Sequence, residues 1–265
     1  EFCVSVTVGG QPFCLDLDTG SSDVGIVAEG CHGCPKKEHD PWHKTASAEA
    51  LNCSWCDDHT TERTDLACKT IKSAGDSQVC CMQMSYADNS GFGAVLYEDS
   101  FAFGDGGASV VATVGAIYSA KEWNDPKDID GIVGFAGRRE SSANVASPFD
   151  LYVKQGMVSA DVFSLCLRDQ AGVLYLGDDD DFVRSPEVVW TERLASSDFY
   201  AVGLSDVIVN GKSIGVDPTA YTDGDAIVDS GTSDTCFAKP AFVALRQAFE
   251  DLCAAGVCLK GICNC

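Results

Sequence analysis

Apolar and polar residues alternate through "CVSVTVGGQPFCLDLD" and the alternation breaks at Gly9-Gly10, which predicts a β-hairpin closed by a two-glycine turn. A second hairpin is predicted in "VCCMQMSYADNSGFGAVLYEDSFAF", with turn chemistry at Asp88-Asn89-Ser90-Gly91. "SVVATVGAIY" and "DGIVGFA" are short apolar runs bounded by Gly and read as buried strands. In "SPFDLYVKQG", Ser147 reads as an N-cap, Pro148 as the first helical residue and Gly156 as the stop. "VFSLCL" and "GVLYLG" return to strand character, and Asn210-Gly211 between apolar runs predicts a third hairpin. After Pro240 the tail places Phe242, Leu245, Phe249 and Leu252 on one helical face. The stretch from Cys31 to Cys81 has no clear period and reads as a loop insert, and the charged run 178–186 reads as a connector. The chain is therefore expected to be mostly β with two or three short helices.

Composition narrows the class. The 265 residues are 45% hydrophobic, enough for a sizeable core. The formal net charge of −22 argues against a nucleic acid or an anionic membrane as partner, since both need basic surface. It suits a protein that works in acid, where protonation relieves self-repulsion. No apolar run reaches membrane-spanning length. Fifteen cysteines point to an oxidising compartment and several disulfides, among them Cys3–Cys14 across the first hairpin. The count is odd, so at least one thiol is free or pairs outside the chain. The chain does not begin with Met and has no apolar leader, which fits a processed segment of a secretory precursor. Asn52-Cys53-Ser54 is a formal glycosylation sequon.

One element recurs. "LDLDTGSS" at 15–22 returns as "AIVDSGTS" at 226–233: an apolar lead, then Asp, a small hydroxyl residue, Gly and a further hydroxyl pair. An active site of two carboxylates needs two such loops, one for each. With these motifs the chain resembles the pepsin-like aspartic proteases. The resemblance implies an all-β, bilobal fold with a few short helices, an acid endopeptidase activity, and Asp18 and Asp229 as the catalytic pair. It implies that Thr19 and Ser230 brace the two loops, that Gly20 and Gly231 let backbone N–H groups approach the carboxylates, and that Ser21 and Thr232 bond the outer carboxylate oxygens. "SYADNSGFG" resembles the family's flap, about 82–98, with Tyr86 as the flap tyrosine. Tyr86, Asp88 and, on the crossing element "DGIVGFA", Ile132 are the substrate-contacting positions so implied. The lobes are expected at 1–182 and 183–265. The Cys-rich insert at 31–81 and the strand "FSLCL" resemble the nepenthesin-like subgroup, in which the insert is disulfide-bonded. The insert's cysteines are accordingly expected to be paired.

Two positions extend the set. Strand residues two apart share a face, so Asp16 is expected to face the cleft with Asp18, and Ile227 to be its counterpart before Asp229. In the resembling family both positions flank the cleaved bond and are usually apolar. Two further departures stand out: Gly25 where the family usually has a Trp, and Ala87 where a flap Gly is usual. No second apolar-apolar-Gly element follows Asp229, so the second lobe is expected to be incomplete. The implied partners are polypeptides, with no cofactor, no metal, a monomeric state, and a secreted or lysosomal/vacuolar location. Two alternatives remain open: a catalytically silent pepsin-like protein that binds peptide or glycan, and a zinc-binding interaction module. The latter rests on the ribbon-like spacing of Cys31/Cys34 and Cys53/Cys56, with His32, His39, His43 and His59 in the same stretch.

Overall fold

The computed structural model describes residues 2–71, 74–123, 126–137, 140–168, 172–178, 188–222 and 225–257. They form two compact units, Glu1–Val189 with Asp229–Gly231, and Trp190–Val228 with Thr232–Cys265. The expected lobe boundary at 182–183 and most of the charged connector lie outside the described residues.

The first unit opens with β1 (Cys3–Val8) and β2 (Gln11–Asp18), antiparallel and joined at Val8↔Gln11. Gly9 and Gly10 both take positive φ, 57° and 80°, the turn that matches the twist of a tight hairpin. Cys3 and Cys14 are disulfide-bonded across it. Next come β3 (Val24–His32), β4 (Glu49–Ala50), helix α1 (Cys53–His59), β5 (Leu66–Ile71), β6 (Ser77–Ser85), β7 (Gly91–Phe103), β8 (Val110–Lys121) and β9 (Gly131–Gly134). They form a nine-stranded sheet in the order β1-β2-β9-β3-β8-β7-β6-β5, with β4 on β7. Because β1 also pairs with β7, through Val6↔Phe103 to Val8↔Phe101, six of these strands close a circuit that leaves no free edge there. Strand β9 lies between β2 and β3, parallel to the first and antiparallel to the second.

Alternation sets the core. Val6, Val8, Phe13, Leu15 and Leu17 point into one cluster with Ile26, Val95, Phe101, Val133 and Phe135. A second cluster, on other faces of the same strands, gathers Met82, Met84, Phe92, Leu96, Ile117, Trp123 and Ile132. Helix α2 (Pro148–Lys154) carries the expected N-terminus: Ser147 caps it in a reciprocal box with Asp150, and Pro148 opens it. Its Phe149 and Tyr152 join the first cluster. The strands β10 (Phe163–Cys166) and β11 (Val173–Leu176) pair as a separate ribbon.

The Cys-rich stretch differs from the loop expected of it. It contains β4, α1, β5 and the first residues of β6, with which β5 forms a hairpin. Disulfides Cys31–Cys34, Cys53–Cys68 and Cys56–Cys80 fix it. Cross-links and the Asn52 side-chain cap, which accepts from Trp55 N, support a short helix that leaves no periodic apolar signal. Pairing is also incomplete: Cys81 is a free, buried thiol. Adjacent residues of β6 face opposite sides, so Cys80 meets α1 while Cys81 points into the first cluster. Burial pushes the Cys81 thiol up to about 11, which leaves it protonated and unreactive.

The second unit holds β12 (Ala201–Val202), β13 (Ile208–Val209), β14 (Lys212–Ser213), the single turn α3 (Thr219–Thr222), β15 (Ala226–Ile227) and α4 (Lys239–Ala254). Strands β12 and β15 pair, as do β13 and β14, the latter across the expected Asn210-Gly211 turn with φ of 48° and 77°. In α4 the fully buried residue is Ala241, whereas Phe242, expected on the buried face, is 51% exposed. Among the described residues no helix is long and apolar enough to cross a membrane.

Candidate active site

Three odd-numbered apolar residues of β2, Phe13, Leu15 and Leu17, are committed to the core, so Cys14, Asp16 and Asp18 share the opposite face. Asp18 ends the strand and the chain turns through Thr19-Gly20. The segment Asp229–Gly231, distant in sequence, is part of the same compact unit. The two loops exchange hydrogen bonds. Thr19 N donates to Ser230 Oγ at 3.2 Å, and Ser230 N donates to Thr19 Oγ1 at 2.9 Å. Ser230 Oγ also donates to Leu17 O at 2.5 Å. Each carboxyl is held by its own loop: Gly20 N donates to Asp18 Oδ1 at 2.7 Å, and Gly231 N to Asp229 Oδ1 at 2.9 Å. Ser21 Oγ donates to Asp18 Oδ2.

Both glycines are required by close approach. A Cβ on Gly20 would come within 2.6 Å of Asp229 Oδ2, and one on Gly231 within 2.5 Å of Asp18 Oδ1. Each loop thus lays a bare backbone against the carboxyl of the other. Burial raises the Asp18 carboxyl to about 6; the Ser21 and Gly20 hydrogen bonds oppose this, while the charge and hydrogen bond of Asp229 add to it. Two carboxyl groups within hydrogen-bonding contact are more stable sharing a proton than both ionised, and such a pair titrates as a unit.

Around the pair, Asp16 is buried and sits level with Ile132 of β9, while Gly134 sits level with Asp18. Tyr86 follows β6 and is half-buried; the hairpin tip beyond it is closed by Tyr86 N donating to Ser90 O and Asn89 N to Tyr86 O. Asp88 is exposed at that tip, and its bonds from Ser90 hold its carboxyl below the usual range. Ile227 belongs to β15 of the second unit, where it pairs with Ala201 and is 44% exposed. Thr232 also belongs to the second unit and is exposed.

Asp23, Phe92 and Trp123 are not singled out by the sequence, whereas Asp130 opens the "DGIVGFA" element read there. Asp23, buried in the loop after Asp18, accepts from Ser141 Oγ and Ser142 N, each at 2.6 Å, and burial raises its carboxyl. The only sequence hint is a third acid close behind the DTGSS motif. Asp130 is nearly fully buried and its Oδ2 meets both His39 Nδ1 at 2.8 Å and Cys14 N at 2.9 Å, tying the insert to β2. Phe92 and Trp123 flank Tyr86 with their rings. The zinc alternative loses its donors, because Cys31, Cys34, Cys53 and Cys56 are all in disulfides. Among the described residues no group of three or more His, Cys, Asp or Glu side chains could hold a metal ion.

Comparison with known proteins gives the family. Residues 1–252 match the family model for eukaryotic aspartyl proteases. An aspartic protease of Phaffia rhodozyma is 26% identical over 228 residues, 86% of this chain and 48% of that protein. Aspartic proteinase 39 of Arabidopsis thaliana is 26% identical over 93% of this chain and 52% of its own. Pepsin A of Bos taurus is 34% identical over 108 residues, 39% of this chain and 27% of its own. The chain spans about half the length of the first two relatives. With paired Asp loops on a sheet-built scaffold and a family match over nearly its whole length, the chain belongs to the eukaryotic aspartyl protease family.

Proposed function

We propose that this chain carries the catalytic pair of an aspartic endopeptidase that hydrolyses polypeptides at acidic pH, with Asp18 and Asp229 as the catalytic carboxyls. The observation that carries the reading is the reciprocal bracing of two like loops, Thr19 with Ser230, around two carboxyl groups in hydrogen-bonding contact. The pair holds one proton. Its ionised member takes a proton from a water molecule as that water's oxygen bonds to the scissile carbonyl carbon. Its protonated member donates to the carbonyl oxygen. Collapse of the tetrahedral adduct breaks the C–N bond, and a carboxyl returns a proton to the leaving amine. The raised Asp18 carboxyl keeps a proton in the pair up to about pH 6, which supports an acidic working range.

Gly20, Ser21 and Gly231 orient the carboxylates, and Thr232 is the counterpart of Ser21. Tyr86 covers the substrate and helps exclude water, with Asp88 at the flap tip. Asp16 and Ile132 line one side of the cleaved bond, and Ile227, two residues before Asp229, is their counterpart. The disulfide-bonded insert supports a place in the nepenthesin-like subgroup. The disulfides also support a secreted or vacuolar location, and the protein is proposed to act as a monomer without a cofactor. The test is hydrolysis of acid-denatured protein by the full-length protein at about pH 3–5, wild type against Asp229→Asn. Turnover in the wild type and none in the variant is expected; turnover retained by Asp229→Asn would overturn the assignment.

A further inference from the structure

The tip of the β6–β7 hairpin is exposed from Ala87 to Asn89 and projects past the last paired residues, Ser85↔Gly91, beyond which no strand among the described residues supports it. Three aromatic rings meet at its base. Phe92 lies edge-on to Trp123 with centroids 5.0 Å apart and planes at 62°. Trp123 lies edge-on to Tyr86 at 6.0 Å and 70°, and Tyr86 meets Phe92 at 6.2 Å and 49°. These separations all fall in the range where aromatic pairs attract through edge and face.

The cluster has a seat. The tip of the Phe92 ring occupies the place of a missing side chain: a Cβ on Gly25 would lie 2.6 Å from Phe92 Cζ. Gly25 is the second residue of β3, level with Gly115 of β8 on one side and Ile132 of β9 on the other. Ile132 is in turn level with Asp16 on the strand that ends in Asp18. Trp123 follows the end of β8 and is buried. The Tyr86 ring is therefore located by rings that rest on strands β3 and β8, within one compact unit, and not by the hairpin's own bonds alone.

We propose that Phe92 and Trp123 are positioning residues that hold Tyr86 and its hairpin over the catalytic strand, and that Gly25 is glycine because Phe92 is seated on it. The functional half of this inference rests on the proposed role of the hairpin as a flap; the structural half does not. Removing either ring frees the hairpin, and filling the seat expels Phe92 and frees it as well.

Two readouts separate the halves. Amide exchange at Ser85–Gly91 is measured on the free protein at fixed pH. Phe92→Leu and Trp123→Leu are each expected to speed it by about tenfold while the β1–β2 amides keep their rates. Trp123→Phe, which retains a ring, gives an intermediate rate and serves if the Leu variant folds poorly. Gly25→Ala also speeds the hairpin, yet combining it with Phe92→Leu adds nothing further, because the clash is with the ring already removed. Unchanged hairpin rates, acceleration spread over the whole unit, or additive effects in the double variant would each overturn the proposal. Peptide hydrolysis by the full-length protein then tests the flap: kcat/KM is expected to fall about tenfold in Phe92→Leu with the shape of the pH profile retained. Altered exchange without any wild-type hydrolysis would sink the protease reading and leave the clasp standing; an altered pH profile would instead move Phe92 out of a positioning role.

Discussion

Replacing Asp18 by Asn should abolish a specific part of the protein's preference for acid. In the folded chain burial raises the Asp18 carboxyl from 3.8 to about 6. A carboxyl whose folded value lies above its unfolded value favours the native state when protonated. The stabilisation is fully present below about pH 3.8 and is lost as pH rises through about 6. The rise of about two units corresponds to about 3 kcal/mol at 1.36 kcal/mol per unit. Asn cannot ionise. The Gly20 N and Ser21 Oγ bonds favour the ionised carboxylate and are already counted in that net rise. The assay is urea denaturation of wild type and Asp18→Asn at about pH 3.5 and pH 7, reading ΔG from midpoint and slope. Wild type should lose more than the variant between the two pH values, by up to about 3 kcal/mol, because the substitution removes one carboxyl of a pair that titrates as a unit and leaves Asp229 without its partner charge. Asp23, also raised by burial, contributes a loss of the same sign to both proteins and drops out of the difference. Parallel pH dependence in the two proteins would refute the reasoning, since it would mean that Asp18 titrates alike in the folded and unfolded chains.

Three other outcomes are expected. Gly231→Ala forces a methyl to within 2.5 Å of Asp18 Oδ1 and should cut acid proteolysis of the full-length protein by about 100-fold or more through misplacement of the pair; near wild-type kcat/KM would argue that the loops do not meet in the active form. Serine in place of both Cys56 and Cys80, which close a loop of sequence separation 24, should cost about 3 kcal/mol in urea unfolding, and an unchanged midpoint would show the insert to be held by packing alone. Asp16, buried on the same face as Asp18, should favour Lys or Arg just before the cleaved bond, because an opposite charge in a desolvated site gains far more than at the surface. A peptide-library cleavage profile that is apolar in the wild type and unmoved by Asp16→Val would dispose of that preference.

Local chemistry made several elements of both units legible from the chain alone. A turn such as Gly9-Gly10 or Asn210-Gly211 is specified by the only residues that tolerate its φ, and the Ser147-Pro148 helix start by groups three residues apart. The repeated Asp-hydroxyl-Gly element pointed to the loops of Asp18 and Asp229, because a paired-carboxyl site needs the same backbone device twice. Strand parity set Asp16 beside Asp18. What the sequence could not express was anything decided by contact between distant segments. The helix α1 and the hairpin β5–β6 emerge from cross-links and a side-chain cap, which carry no period. Cys81 differs from Cys80 only in the face its strand position gives it, so composition counted it with the paired cysteines and the fold left it a buried thiol. Phe242 matched a helical face by spacing, yet which face is covered depends on what packs there, and the structure leaves it exposed. Gly25 looked like a deficit in the sequence, an aromatic position left empty. Only the tertiary structure brings Phe92 into that space from β7, 67 positions along the chain, since two side chains that share one volume leave no mark on each other's local pattern.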